Sequence, residues 1–505
     1  MGIGIFEAKA VSGDIPGTCL LHPPSNGGEE QALGLKRHAQ DASLILQPQP
    51  SEHRDDPLNW SRFRKEVAYA SLLLGAIAVG VVGPVLTPDF GNILTEYHVS
   101  LTKVIAINGD LVLTYGIASF LCVSVSDSLG RRPTFLVSNI LLLAGLIWGA
   151  LAKSYGSLLG ARILQGFGMG AYGCLVNSSI TDIFFLHEQG TRIAIWQFAF
   201  NGSICLTPVI SGILIQRLGR NIAFWVLFGA TILPVFATIL FVPETVYHRQ
   251  LESCDFVHRD GETGTVVHDD TKKGSGTAIV QPLETAAPIH PRAIFDSYHL
   301  RPWRPIRRDK SITLALCRPA LTLLSPNVLY AAFLFMTTFT WFVQLSSLYS
   351  QIYGAPPYSF DTAKIGYIGG ISPFIGTMLA LLSAGPINDH AVRILSKHNK
   401  GVFEAEMRLV LVMPCGICFA IGAFGMGYTV QHGAHYLVTA VFLAFLVAGA
   451  AFGTICGITY ASSAFPARGG DTFGIIMLVK ALYAWGNTLF WRIGILAPVR
   501  FPGST

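Results

Sequence analysis

Asp127-Ser128-Leu129-Gly130-Arg131-Arg132-Pro133 stands between two long apolar runs, and the rest of the chain is placed relative to it. Two apolar helices joined through so few residues form a tight hairpin, in which Gly130 is free to take backbone angles that a side chain resists. Asp127 can accept hydrogen bonds from neighbouring backbone or pair with an arginine. Arg131 and Arg132 hold the turn on the cytoplasmic side by the positive-inside bias. The stretch therefore reads as a cytoplasmic hinge loop between membrane spans.

Composition agrees. Of 505 residues, 51% are hydrophobic and only 13% charged, and the mean hydropathy of +0.49 is too high for a soluble protein of this size. The net charge of +5 comes without a basic block suited to nucleic acid, because the arginines sit in loops beside apolar runs, where they set topology; no nucleic-acid partner is expected. The nine cysteines are scattered. Their close pair, Cys415 and Cys418, lies inside an apolar helix with no partner pair, so no metal site is expected. No nucleophile elbow or cofactor loop points to an enzyme, and no Gly-x4-Gly-Lys-Ser/Thr loop points to ATP as the energy source.

Taken in order, residues 1–65 read as a polar, disordered cytoplasmic tail with no cleavable signal. Trp60, Phe63, Arg62, Arg64 and Lys65 at its end suit the membrane interface and place the N-terminus inside. The first half, 66–243, holds spans at about 66–88, 104–126, 134–152, 157–180, 193–215 and 221–243, each near the roughly 20 residues a bilayer needs. Gly83 and Pro84 should kink the first. A polar cytoplasmic linker, 244–325, follows. The second half, 326–491, holds spans at about 326–348, 363–384, 409–430, 435–458 and 472–491, and 492–505 is a short tail.

Gly385-Pro386-Ile387-Asn388-Asp389, with Arg393 beyond, follows the second span of the second half as the hinge loop follows the second span of the first. Such matching halves are a transporter-type repeat. With ARILQGFGMG at 161–170, TDIFFLHEQGTR at 181–192, TPVISG at 207–212, DPLNWSRFRKEVAY at 56–69 and NKGVFEAEMRL at 399–409, the chain resembles the major facilitator superfamily, most closely its fungal multidrug-type, proton-antiporter-like branch. The resemblance implies an all-α polytopic protein of two six-helix bundles that rock around a central cavity, with Asp127, Gly130, Arg131, Arg132, Gly385, Asp389 and Arg393 in its conformational-switch loops. The twelfth helix is missing from this reading: after Phe490 only Trp491, Arg492 and a short tail remain. Val123, Ser128 and Thr207 also depart from the family's usual residues.

Asp110 and Arg162 each lie roughly 7 to 9 Å deep, counted from the outer ends of their spans. Charges at such depth face the interior and pair, so the two are expected to interact or to share a proton-linked network. Arg162 and Gln165 match the span 4 motif that the resemblance associates with proton coupling. Gly166 and Gly170, four apart, offer a small face for helix packing, while Pro208 and Gly212 belong to the kinked span 5. Gln197, Asn201, Thr338, Trp341 and Gln344 suit a cavity that holds an apolar molecule by aromatic contact and few hydrogen bonds. Lys480 is a further intramembrane charge, either a counter-ion or a substrate contact.

The expected function is proton-coupled efflux of small amphipathic organic molecules by a monomer in the plasma membrane, with the lipid bilayer and the proton gradient as its other partners and no cofactor. Uptake of a small nutrient or organic cation, and a non-transporting relative, are the alternatives.

Overall fold

The computed structural model describes residues 19–20, 50, 56–246, 319–354, 358, 360–399, 402–464 and 469–494. Local chemistry starts the first helices. Asp56 Oδ1 accepts from the Leu58 N–H at 3.0 Å, ahead of a 3-10 turn opened by Pro57, and Ser61 Oγ accepts from the Arg64 N–H at 3.4 Å. The first half runs α1 (Arg62–Val82), the short α2 (Phe90–Glu96), α3 (Leu101–Leu129), α4 (Arg131–Leu151), α5 (Tyr155–Ile183), α6 (Leu186–Leu218) and α7 (Arg220–Phe241). The second runs α8 (Pro326–Gly354), α9 (Thr362–His398), α10 (Val412–Gln431), α11 (Tyr436–Ala464) and α12 (Gly469–Gly494). Most of the expected linker and the residues after Gly494 lie outside the described residues.

Among the described helices, eight are long and apolar enough to cross a membrane by length and composition alone, and α5, α8 and α12 are not among them. The shortfall has a physical cause in two of the three. Helix α5 buries Arg162, Gln165, Asn177, Ser178 and Ser179, and α12 buries Lys480. Inner helices covered by protein tolerate polar groups that lipid-facing helices cannot. Helix α7, by contrast, exposes Ile232, Leu233 and Phe236.

The structure alters three local readings. The hinge at 127–133 shrinks to one residue: α3 continues through Leu129, Gly130 reverses the chain at φ 103°, and α4 starts at Arg131. Pro133 sits in the first turn of α4, where its missing N–H costs nothing. In the second half no loop forms at Gly385–Asp389. Helix α9 runs unbroken to His398 with Pro373 and Pro386 inside it, and nothing there takes a positive φ to turn the chain. Finally, the two described residues at 19–20, read as part of a disordered tail, form a strand β1 (Cys19–Leu20) antiparallel to β2 (Val402–Phe403), which gives their backbone partners.

The halves meet along two seams, α3 against α12 and α6 against α9. Small residues close both. A Cβ on Gly116 would overlap the Ala481 side chain, and one on Gly109 would crowd Thr488. At the other end of the same seam Gly474 lies against Val123. On the second seam Gly366 faces the Pro208 carbonyl and Gly370 the Cys205 carbonyl. Within the first half Gly166 and Gly170 of α5 fit against Thr114 and Ala118 of α3, and Gly168 of the same helix fits against Leu142 of α4.

Gly116→Leu is expected to destabilise the purified protein by roughly 1–3 kcal/mol through overpacking of the α3/α12 seam. Gly229→Leu, on an exposed face of α7 with open space around it, is expected to leave thermal unfolding unchanged. Equal melting temperatures for the two variants would contradict this account of the seam.

Candidate functional site

Between the two seams lies a cavity of about 850 Å³, counted with its open mouth. Both halves wall it: Pro84 after α1, Tyr115 of α3 and Ile204 of α6 on one side, Phe339 of α8, Pro373 of α9 and Val447 of α11 on the other. Among the described residues the lining is almost wholly apolar, with Asn108 and Tyr115 the side chains able to hydrogen-bond strongly, and it includes no carboxylate.

The wall nearest α1 depends on a helix break. Helix α1 stops at Val82 because Pro84 brings no N–H and the chain tightens into a 3-10 turn at Thr87–Asp89. Arg162 takes up the carbonyls freed there. Its Nη1 donates to Val82 O at 2.8 Å and to Gln165 Oε1 at 3.0 Å, and its Nη2 to Gly83 O at 3.1 Å and Asn108 Oδ1 at 3.4 Å. Gln165 Nε2 in turn donates to Gly145 O of α4 at 2.8 Å. Arg162 and Gln165 are both wholly buried, and Gly83 and Asn108 line the cavity, so this network stands directly behind the cavity wall. Gly83 and Pro84 end the helix rather than kinking it.

Asp110 does not pair with Arg162. Its Oδ1 accepts instead from Trp485 Nε1 at 3.0 Å, across the α3/α12 seam. Arg162, wholly buried, finds its partners at the end of α1, in Gln165 and in Asn108, so the direct ion pair expected from matching depth does not form.

The polar candidates largely satisfy themselves. Asn201 Nδ2 donates to Gln197 Oε1 at 2.9 Å one turn away. Thr338 Oγ1 donates to Leu334 O at 2.8 Å while its methyl packs on Gly453. Trp341 points outward, 46% exposed, its ring 6.1 Å from that of Phe419. Gln344 is buried with Nε2 unpartnered. None of these residues lines the cavity. The last candidate, Lys480, is 1% exposed beside it. Its Nζ lies 3.8 Å from the Phe339 ring centre, 5.0 Å from that of Phe335 and 5.2 Å from that of Tyr115.

At the Gly130 end, the start of α4 is held by a residue the sequence reading left in the linker. Glu244 Oε1 accepts from Arg131 N–H at 2.9 Å and its Oε2 from Arg132 N–H at 3.1 Å. A carboxylate there satisfies two orphan donors and opposes the helix dipole. Arg131 pairs with Asp182 of α5 at 2.5 Å, and Arg132 donates to Ile239 O at 2.9 Å. The side chain of Asp127 lies outside the described residues. Gly130 leaves no room for a Cβ, which would strike Glu244. In the second half, Asp389 approaches Gly190 near the start of α6, where a Cβ would come 3.2 Å from its Oδ1. Arg393 is exposed one turn on and Gly385 has open space around it. Pro208 and Gly212 lie buried in α6. The signal for Glu244 was its place immediately after an apolar run; for Tyr115, Asn108 and Phe339 the sequence offered none beyond composition.

The profile of the Major Facilitator Superfamily matches residues 68–484. An uncharacterized MFS-type transporter of Schizosaccharomyces pombe is 24% identical, with 90% of this chain and 82% of that protein covered. The MFS-type transporter penM of Penicillium rubens is 24% identical, with 93% of this chain and 88% of its own covered. Among solved structures, the proton:xylose symporter XylE bound to 6-bromo-6-deoxy-D-glucose superposes with a TM-score of 0.57 at 16% identity, covering 87% of this chain and 90% of that one. That likeness is one of fold. With its two helical halves, apolar helices and a profile match over most of its length, this chain belongs to the major facilitator superfamily and is a multi-pass membrane transporter.

Proposed function

We propose that the chain is a proton-coupled exporter of small amphipathic organic molecules, working as a monomer in the plasma membrane with its N-terminus in the cytoplasm. The observation that carries this is the apolar cavity between the halves, whose described lining is too poor in hydrogen-bonding groups for a sugar-like solute. Its walls come from both bundles, so rocking them about the two seams would expose the site to one side and then the other. Asp110 suits the coupling role. Its bond to Trp485 bridges the halves, and adding a proton to the carboxylate would weaken a charge-assisted contact that holds that end shut. Arg162 serves by fixing the α1 break, and Glu244 by holding the Gly130 turn through the motion.

In cells or proteoliposomes, export of fluorescent amphipathic compounds is expected to vanish on adding a protonophore; insensitivity to it would remove proton coupling, and accumulation in place of depletion would assign uptake. Asp110→Asn keeps an oxygen for Trp485 but cannot titrate. Downhill exchange is expected to survive in that variant while gradient-driven movement is lost, and unchanged gradient-driven transport at normal surface expression would refute the role. Arg162→Ala leaves the Val82 and Gly83 carbonyls without donors, about 1–3 kcal/mol for each, and is expected to abolish transport.

For Glu244→Ala the expected result is a several-fold lower turnover with ligand binding to the cavity unchanged, measured in the same vesicles; full turnover would detach the Gly130 turn from the cycle.

A further inference from the structure

A buried ammonium in a low-dielectric interior is costly unless a counter-charge or hydrogen bonds compensate it. Lys480, in the middle of α12, has neither among the described residues: it forms no hydrogen bond and no ion pair, and only three aromatic rings face it. Of the two carboxylates on the facing helix α3, Asp110 is held by Trp485, and the side chain of Asp127, at the far end of the helix, lies outside the described residues. Ring faces offset part of the cost of the charge, but they supply no negative charge.

Two of the three rings, Tyr115 and Phe339, also line the cavity. They form the partition between the ammonium and the space where a ligand would sit, so movement of either ring joins the two. Tyr115 belongs to the first half and Phe335 and Phe339 to the second, and Lys480 lies where the halves meet. Among the described residues the cavity lining contains no acidic side chain, so an organic cation would find Lys480 repelling it and only ring faces to attract it.

We propose that Lys480 is the anion-binding group of this cavity, and that the substrate is an amphipathic organic carboxylate whose apolar body fills the space walled by Ile204, Pro373 and Val447 while its head reaches the ammonium past Tyr115 and Phe339. The assignment rests on the cavity being the substrate site, as proposed above. It narrows the substrate class, and gives the lysine the counter-charge that the described residues do not provide.

The test is equilibrium binding to the purified full-length chain, with no gradient imposed, of a matched probe pair, dansylglycine and its uncharged amide, followed by fluorescence anisotropy. The carboxylate is expected to bind at least tenfold more tightly than the amide. Lys480→Met should lose that preference by weakening the carboxylate alone, and Lys480→Arg should keep it. The ligand-free Lys480→Met protein should melt no lower than the unmodified chain, because an uncompensated charge has been removed; a lower melting temperature would mark Lys480 as a structural cation held by its rings and would overturn the proposal. Equal binding of the two probes, no binding of either, or a preference that survives in Lys480→Met would also overturn it. Protonophore-sensitive export of neutral compounds alongside any of those results would leave the exporter reading standing, while a carboxylate preference without export would retire the exporter and keep the anion site.

Discussion

Arg162 supplies from α5 hydrogen bonds to the Val82 and Gly83 carbonyls left where α1 stops before Pro84, and the geometry of the cavity follows from that exchange. A helix that stops inside a bundle leaves carbonyls with no water to turn to. The guanidinium, planar and rich in donors, meets Val82 and Gly83 together and still reaches Gln165 and Asn108. Lysine at this position would offer a single point of charge and could not span the same set. The cost of burying Arg162 is thus met by two backbone carbonyls and two side-chain amides, and the break in α1 is held open beside the site.

Charge at the Gly130 turn obeys the same constraint from the opposite direction. There the exposed groups are N–H donors at the start of α4, and the answer is the carboxylate of Glu244. Arg131 and Arg132, read from sequence as topology signals, also act through their own backbone N–H groups as the donors that Glu244 accepts. Their side chains then tie α4 to Asp182 of α5 and to the end of α7.

What the sequence revealed depended on whether a feature leaves a mark on residue type. Gly130 was legible because a positive φ favours glycine, and Arg162 because a guanidinium in an apolar run has no other explanation. Two of the four partners of Arg162 were not legible, because they are backbone carbonyls, which every residue carries. Gly385 and Pro386 look like a loop locally, yet packing of α9 along α6 keeps the helix going, an instance of tertiary contact overriding local preference. Hydroxyl and amide side chains such as Thr338 and Asn201 were natural candidates for substrate contacts, but each is within one turn of an acceptor on its own helix. The cavity wall is built instead of Ile204, Phe339, Pro373 and Val447, residues that in sequence cannot be told from those facing lipid.

The seams carry a consequence of their own. Glycine against alanine, threonine or backbone holds the halves together by close contact, with few bonds to break, the Trp485–Asp110 bond and the 3.6 Å contact of Cys205 with Thr377 among them. Each opening of one end would therefore wet a strip of small apolar surface and each closing would dry it. Hydration of such surface raises heat capacity, so the balance between the two ends of the molecule should bend with temperature rather than shift in proportion to it. The transport cycle then inherits a thermal optimum from its glycines, separate from any set by the lipid around it.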